Sequence, residues 1–340
     1  MKIDTEGVYT LQYTAEDECG NVTVEERAVS VENITYRTVL YTDGTFIINE
    51  KSSNIDANVA LHGAATNIYS PFDPNGATDA EKYIFASNTN RPWNDQRANI
   101  LRAEIGSVIA PTSLSWWFSY CSNLSSIDFD NLDASHITTM AYYCNGCRSL
   151  SSLNLDGLNF ASIESFERAF ISCTSLTHVS GVETVIADPT NVTAMFDGCS
   201  ALQSVSLAID TKNADAVNGM FNGCTVLTDI SSIKLNIKSG VSSLGRMFKG
   251  CMAIESIEIM ASAPELFTAL GEVFRGCYAL KTIYTNADWN INASSQYMFL
   301  GCIALQGGAG TAYDSGYTTA AYARIDNPPD APGYFTLKTA

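Results

Sequence analysis

The chain has 340 residues, ten of them cysteines, and a formal net charge of −17, and this length indicates two or more domains or a repeat array. Its composition, 46% hydrophobic and 16% charged, excludes a disordered chain. The excess of acidic residues argues against a nucleic-acid partner, because a negative surface repels a phosphate backbone.

The N-terminal segment predicts a β-hairpin. Met1–Gly7 lacks the apolar core of a signal peptide and no run of 18 apolar residues occurs, so neither an export signal nor membrane insertion is expected. Residues 7–31 alternate apolar and polar side chains on both sides of a polar turn. The stretch Tyr13–Asn21 resembles the end of a bacterial immunoglobulin-like domain. Since a whole sandwich needs about 100 residues, we interpret residues 1–33 as a remnant, either cut from a longer protein or packed on the neighbouring region.

Residues 34–110 are predicted to form a β-rich N-terminal cap. Thr38–Thr42 and Thr45–Asn49 flank an Asp-Gly pair that is typical of a hairpin turn. Leu101–Ile105 is predicted as the first strand of the region that follows. A cap is expected because the open end of a repeat array needs a cover with a polar outer face.

Eight cysteines recur at intervals of 25 to 27 residues. These ladder cysteines are Cys121, Cys147, Cys173, Cys199, Cys224, Cys251, Cys277 and Cys302. Leu or Ile stands three residues after each one, Phe stands three residues before all but Cys147, and glycine directly precedes six of them. This self-similarity predicts a stack of structural repeats, each of which buries one face against the next.

Residues 191–207 show what one repeat predicts. Beginning at Val192, apolar residues at positions i, i+3 and i+4 are spaced as on one face of a short helical turn. Gly198 follows, where a helix commonly ends in a left-handed conformation. Val205 and Leu207 then alternate with polar residues, which predicts a short strand.

The motif Met-Phe-x-Gly-Cys-x-x-Leu-x-x-hydrophobic-x-hydrophobic resembles the BspA-type leucine-rich repeats, the bacterial surface protein 26-residue repeat, over residues 101–310. Asn131–Thr139 is similar to the connector typical of that family. The resemblance implies an α/β repeat fold, a leucine-rich-repeat solenoid of about eight 26-residue repeats spanning residues 111–310. The β-rich N-terminal cap would cover one end, and an irregular C-terminal cap at residues 311–340 would cover the other.

Two departures from the motif predict local changes. In the second repeat, Tyr143–Cys144 stands in place of Met-Phe, so we expect the packing to change there. The last repeat runs into Gly307–Gly310 instead of a strand, and the stack is expected to end at that point.

The ladder cysteines are interpreted as buried free thiols, because cysteine packs as a small hydrophobe. Disulfides between adjacent repeats are possible by distance, but side chains in a ladder point in parallel, whereas a disulfide needs them to converge. A zinc site is a weaker alternative. Cys144 and Cys147 form a lone CxxC pair, and His62, His136 and His178 supply no second pair at ligand spacing. We predict no metal and no cofactor.

Tryptophans and clustered carboxylates offer further alternatives. Flat aromatic faces suit carbohydrate rings, but such residues more often close the ends and edges of a solenoid, and we favour that core role. The tryptophans are Trp93, Trp116, Trp117 and Trp289. Calcium ligands are conceivable within residues 73–81, but the spacing does not match an EF-hand, so we favour a polar turn. The oxygen-bearing residues there are Asp73, Asn75, Asp79 and Glu81.

Binding is a better expectation than catalysis. The chain has no Gly-x-Ser-x-Gly elbow, no phosphate-cradling glycine loop and no His-Glu-x-x-His motif, so no enzymatic activity is predicted. The residue seven positions after a ladder cysteine is mostly polar and varied, which suits a ligand-binding face and an ordinary solvated face equally well. The candidate ligand-facing strand positions are Asp128, Asn154, Ser206, Ser231, Glu258 and Tyr284.

The resemblance implies non-catalytic adhesion or ligand binding outside the cell, on a bacterial surface, with a protein or glycan of a cell surface as partner. Members of the family usually reach that surface through an export signal and an anchor, and neither is expected here. Two explanations remain open. The chain is a fragment of a larger surface protein, or it is a bacteriophage virion protein, such as a fibre, decoration or receptor-binding protein, for which a homo-oligomer is expected.

Overall fold

The structure, a computed structural model, describes residues 7–16, 22–31, 36–51, 55–69, 93–181, 185–186 and 188–338. Its first strands, β1 (Gly7–Glu16) and β2 (Val22–Val31), pair antiparallel along their whole length. The hairpin predicted for residues 7–31 is therefore present, with its turn outside the described residues. The interpretation of this hairpin as an immunoglobulin-like remnant stays a prediction.

The N-terminal region forms a five-stranded sheet in the order β5-β3-β4-β6-β7. The strands are β3 (Tyr36–Tyr41), β4 (Thr45–Lys51), β5 (Ala65–Tyr69), β6 (Arg102–Ile105) and β7 (Ser126–Ile127). A helix that the sequence did not predict, α1 (Ile55–His62), lies between β4 and β5. Among the described residues, no helix is long and apolar enough to cross a membrane.

The predicted Asp-Gly hairpin joins this sheet to the first repeat. Asp43 Oδ1 accepts a hydrogen bond from the Thr45 N–H at 2.9 Å, and Gly44 has a φ of +82°. A Cβ at Gly44 would lie 2.4 Å from Cγ of Leu101, so only glycine allows this approach. β3 and β4 are antiparallel, whereas β4 pairs in parallel with β6. The predicted cap and the predicted first strand thus share one sheet.

Each following repeat contributes short strands that pair in parallel with those of its neighbours. In chain order they are β8 (Ser152–Asn154), β9 (Asn159–Phe160), β10 (His178–Gly181), β11 (Val185–Ile186), β12 (Ser204–Leu207), β13 (Asn236–Ile237), β14 (Ser256–Glu258), β15 (Met260–Ala261) and β16 (Thr282–Thr285). Val179 of β10 lies opposite Leu153 and Val205, each 26 positions away. Buried and half-buried side chains alternate along β12, as the spacing of Val205 and Leu207 predicts. The chain therefore has a repeat fold.

The predicted helical turns are wrong. The segment 191–199 is a run of hydrogen-bonded turns in which alternate N–H groups have different acceptors. The N–H of Met195 bonds the Val192 carbonyl at 3.2 Å within the turn, whereas the N–H of Phe196 bonds the Met220 carbonyl of the next repeat at 2.9 Å. A helix would direct both N–H groups along its own axis. Here, half of the backbone donors hold the neighbouring repeat.

A column of phenylalanines fills the centre of the repeats. Consecutive rings stack with centroids 5.5 to 6.2 Å apart and planes within 17° of parallel. The stacked rings are Phe170, Phe196, Phe221, Phe248, Phe274 and Phe299. Each ring is buried, so the column combines apolar burial with offset aromatic contacts.

The ladder cysteines are buried beside this column and are free thiols. From the second repeat onward, each Sγ donates to the carbonyl of the residue three positions before the preceding ladder cysteine, at 3.0 to 3.2 Å. Cys199 thus bonds the Phe170 carbonyl and Cys224 bonds the Phe196 carbonyl. A thiol fits this position because it packs as a small apolar group and still donates a weak hydrogen bond.

The second repeat changes the packing, as its departure from the motif predicts. Cys144 stands at the position of the stacked phenylalanine. Tyr143, at the methionine position, meets Phe118 edge-on, with centroids 5.5 Å apart and an interplanar angle of 68°. Burial raises the pKa of the Tyr143 hydroxyl well above its ordinary value, and electrostatic interactions with nearby cysteines raise it further. Cys144 still supplies the carbonyl that accepts from Cys173. The thiol ladder therefore continues where the aromatic stack is broken.

The C-terminal segment closes the array with one more strand. β17 (Phe335–Leu337) pairs in parallel with β16, and Phe335 lies opposite Ile283. Buried Asp326 accepts hydrogen bonds from the N–H groups of Ala309, Thr311 and Gly333. Although burial acts to raise the pKa of this carboxyl, these bonds lower it overall. Asp326 thereby ties the glycine-rich end of the last repeat to the closing strand.

Truncating the middle of the phenylalanine column should destabilise the array. We expect Phe221→Ala to lower the free energy of unfolding by about 3 to 5 kcal/mol, because it removes a buried ring and leaves a cavity. Urea unfolding followed by circular dichroism measures the change. Val226→Ala, at a side chain that is 42% exposed in the same repeat, should stay within about 0.5 kcal/mol. Equal effects of the two substitutions would contradict this role of the column.

Because the ladder thiols are buried, we predict that the folded protein loses stability in mild base. Burial raises the pKa of Cys199, Cys224, Cys251 and Cys277, and it raises that of Cys302 to about 12. Unfolded thiols ionise near pH 8.5, so the folded chain holds protons that the unfolded chain releases. The stabilisation is complete below that pH, and the free energy of unfolding should then fall by about 1.4 kcal/mol per pH unit for each thiol.

Urea titrations at intervals from pH 7.5 to 9.5 test this slope. Cys251→Ala removes one titrating thiol and should give a flatter profile, which separates the thiols from other basic groups. An unfolding free energy that is level over this range would contradict the prediction.

Candidate functional site

The row of parallel strands is interrupted twice. β7 and β8 belong to different sheets, and so do β12 and β14. In the Cys224 repeat, which lies between β12 and β14, a single bridge joins Asp229 to Ser204. A groove lies at each interruption, with volumes of about 460 Å³ and 440 Å³. We call them the N-terminal groove (residues 127–132 and 154–158) and the C-terminal groove (residues 228–236 and 256–260).

An early turn causes the first interruption. The chain turns directly after β7, because the Asp128 carboxylate accepts the N–H of Asp130 at 2.9 Å and the Leu132 N–H bonds the Phe129 carbonyl at 2.9 Å. An aspartate that binds the backbone two residues ahead favours such turns. The strand that would meet β8 is therefore only two residues long.

A serine causes the second interruption. Ser232 stands eight positions after its ladder cysteine, where buried Leu207 and Ile259 stand in neighbouring repeats. The chain turns here, with the Ile233 N–H bonding the Ile230 carbonyl at 2.9 Å. The Ser232 hydroxyl donates to the Val205 carbonyl at 2.6 Å. A hydroxyl that needs a partner thus replaces the apolar side chain that would continue the strand.

The N-terminal groove is acidic. Asp128, Asp130 and Asp156 line it together with Asn154, over a floor that includes buried Phe129. Asn154 Oδ1 accepts hydrogen bonds from the Asp156 N–H at 2.9 Å and from the Ser180 hydroxyl at 2.8 Å. Three carboxylates along one shallow wall favour contact with cationic or hydrogen-bond-donating groups.

The C-terminal groove carries both signs of charge. Lys234 and Asp229 line it with Ser231 and Glu258, and hydrogen bonds from Ser231 lower the pKa of the Asp229 carboxyl. A smaller pocket of about 220 Å³, which includes Lys212 and Lys238, adjoins it. Asn236 and Met260 line both cavities. Mixed charges with hydroxyl and amide groups suit a polar ligand surface.

The six candidate ligand-facing positions lie in different parts of the structure. Asp128 and Asn154 line the N-terminal groove, and Ser231 and Glu258 line the C-terminal groove. Ser206 lies on β12 between them. Tyr284 of β16 lies opposite Glu258 of β14, next to the C-terminal segment that contains β17. There, Lys338 binds Glu258 at 2.8 Å and lies 5.4 Å from the centre of the Tyr284 ring.

Two of the six are not strand residues. Ser231 was predicted on a strand but lies in the turn that Ser232 creates, and Asp128 directly follows β7. The signals that would have identified the grooves are the missing apolar residue at Ser232 and the Asp-x-Asp turn after Ile127. No local sequence pattern predicts that Lys338 covers Glu258 and Tyr284, because β17, the strand before Lys338, is about 50 residues away from β16 in sequence.

None of the other candidate side chains that the structure describes lines either groove. Trp93, Trp117 and Trp289 are buried, and half-buried Trp116 stacks on Tyr142. Cys147, in the lone CxxC pair, donates to the Phe118 carbonyl. No group of three or more metal-ligating side chains occurs in the described part of the chain. The possible calcium ligands at positions 73–81 lie outside the described residues.

Comparison with protein families agrees with this repeat geometry. Residues 193–307 match the model of the BspA type leucine rich repeat region, in six copies. Residues 112–232 match a family described as Mycoplasma protein of unknown function, DUF285. No curated protein and no solved structure matched the chain.

Proposed function

Because the chain carries BspA-type leucine-rich repeats, we propose that it is a non-catalytic recognition protein that acts at a cell surface or outside the cell. Repeats of this type are typical of surface or secreted proteins with adhesion or protein–protein roles. The partner that we assign to the strand face is a protein on a cell surface.

In this proposal the eight repeats stack as a solenoid of about 26 residues per turn, covered by residues 34–110 at one end and 311–340 at the other. The parallel register of β8, β10 and β12 and the six stacked phenylalanines support this arrangement. Stacked repeats present a continuous surface suited to an extended partner.

The two grooves carry the proposal. Four of the six candidate positions line them. Concave sites with a few polar groups around an apolar floor are the usual places of ligand recognition. Both grooves lie on the same row of strands, so a single extended partner can contact both.

Groove variants test the proposal. In a binding screen of the purified chain against arrayed cell-surface proteins, we expect Asn154→Arg and Ser231→Arg each to weaken the strongest interaction at least about tenfold. A bulky cation blocks the groove and changes its field. Thr174→Arg, at an exposed position outside both grooves, makes the same charge change and should bind like the unmodified chain.

Unfolding curves of all three variants confirm that the fold is retained. Binding that is insensitive to both groove substitutions, or equally sensitive to Thr174→Arg, would contradict a role of the grooves.

A further inference from the structure

A second surface, on the turns of the repeats, carries unusual backbone geometry. The residue five positions before every ladder cysteine has a left-handed conformation, with φ between +51° and +67°. We call these eight residues the turn row: Trp116, Tyr142, Arg168, Ala194, Gly219, Arg246, Glu272 and Tyr297. Glycine adopts this conformation without strain, whereas other residues are strained in it.

Long polar and aromatic side chains occupy most of these strained positions. Gly219 is the one glycine of the row, and Ala194 is the one other small residue. Arg168 donates to the Tyr142 hydroxyl at 2.5 Å, and Tyr142 stacks on Trp116 with centroids 4.0 Å apart. These side chains therefore contact one another along the row.

The C-terminal half of the row collects positive charge. Lys249 and Arg246 bind Glu272 Oε2 at 2.9 Å and 3.0 Å, and Arg275 binds Oε1. The hydrogen bond from Lys249 outweighs the effect of burial and, with those from Arg275 and Arg246, lowers the pKa of Glu272 to about 2. Glu272 therefore faces three cations, and Asp197, which interacts electrostatically with Arg246 and Lys249, is a second carboxylate nearby. One positive charge is left in excess.

Arg246 is the member of this cluster that can bind another anion. Its side chain is 65% exposed, and it contacts Glu272 through Nε. In the described part of the chain, its two terminal NH₂ groups have no hydrogen-bond partner. The neighbouring row position on one side is Gly219, which has no side chain to cover the guanidinium. Asp197 accepts a hydrogen bond from Asn222 at 2.9 Å and interacts with Arg246 only electrostatically. The paired NH₂ groups form the fork that binds carboxylate or sulfate in a bidentate manner.

Aromatic rings lie near these turns. Tyr297 is 43% exposed, and the Arg275 guanidinium lies 5.3 Å from its ring centre. Tyr278 is 49% exposed and packs on the turn at Gly301, where a Cβ would lie 3.1 Å from its ring. Flat, partly exposed rings beside cations suit a sugar ring that carries an acidic group, since the ring face is apolar and the substituent is charged.

We propose that the turn row around Arg246 binds an acidic carbohydrate, with the Arg246 guanidinium on its carboxylate or sulfate group and Tyr297 beside the sugar ring. This site is separate from the grooves, and it adds a glycan ligand to the protein partner assigned to the strand face.

Titration calorimetry of the full chain tests the site. The probes are sialyllactose for a carboxylate, a heparin-derived tetrasaccharide for sulfate, lactose as the neutral match and hexaglutamate as an acidic peptide. We expect at least one acidic sugar to bind, with an affinity that falls as salt is added, and lactose and hexaglutamate to show no binding.

Substitutions locate the binding. Arg246→Gln should weaken it about tenfold or more, and Arg246→Lys should restore it only in part, because an ammonium lacks the fork. Lys281→Gln removes the same charge from an exposed pair with Glu255, and it should change the affinity less than about twofold. Ser231→Arg, in the C-terminal groove, should bind the sugar normally, so the two surfaces can fail independently.

Several results would overturn the proposal. These are no binding of either acidic sugar, equal binding of lactose, or equal affinity of the Arg246→Gln variant with an unchanged unfolding curve. Preferential binding of hexaglutamate would assign the site to an acidic protein instead.

Discussion

The contact of one repeat with the next is the constraint on which the rest of the structure depends. In the described residues of the repeats, the helices are 3-10 segments of three residues and the strands have two to four residues. Half of the N–H groups in a turn segment therefore donate to the neighbouring repeat. From the second repeat onward the thiol of each ladder cysteine also donates to a neighbouring repeat, and the phenylalanine rings stack in the same direction. Because backbone, thiol and ring contacts all follow one register, an insertion that moved one would break the others.

The same register explains how the surfaces arise. Every position of the repeat becomes a column, and the cysteine column is buried along its whole length. Glycine is common at the position before the cysteine, because the backbone there is left-handed, with a φ of +75° at Gly250, and glycine adopts this conformation without strain. Five positions before the cysteine the backbone is equally left-handed, but the side chain points into solvent or toward its neighbour in the row. Arginine, glutamate and tyrosine can therefore occupy that column, at a cost in backbone strain. The grooves form where the residue type within a column changes, as at Ser232, where a serine replaces an apolar residue.

Much of this fold could be predicted from the sequence, because the apolar lattice is fixed by residue type. The spacing identified the buried cysteines, the phenylalanine column and the strand at Val205 and Leu207. The helical turns were wrong for a physical reason. Apolar residues at i, i+3 and i+4, as at Val192, fit a helix and a succession of turns equally well, and the choice between them depends on hydrogen bonds to residues about 25 positions away. The same limit applies to the site. The Ser232 hydroxyl bonds a carbonyl of the preceding repeat, and Lys338 reaches Glu258 from the C-terminal segment, and periodicity within one repeat shows neither contact.

The net charge describes the surface incompletely, because it does not show how the charges are distributed. A value of −17 averages the acidic N-terminal groove with the cationic turns around Glu272. At physiological ionic strength the field of an exposed charge decays over about 8 Å, so a small acidic sugar at Arg246 meets chiefly the local excess of positive charge. A long polyanion would extend past this cluster over a surface that is acidic on average, and each further phosphate would add repulsion rather than attraction. The same charge distribution thus disfavours nucleic acid and still leaves room for a short anionic ligand, provided that the ligand is no larger than the cluster that holds it.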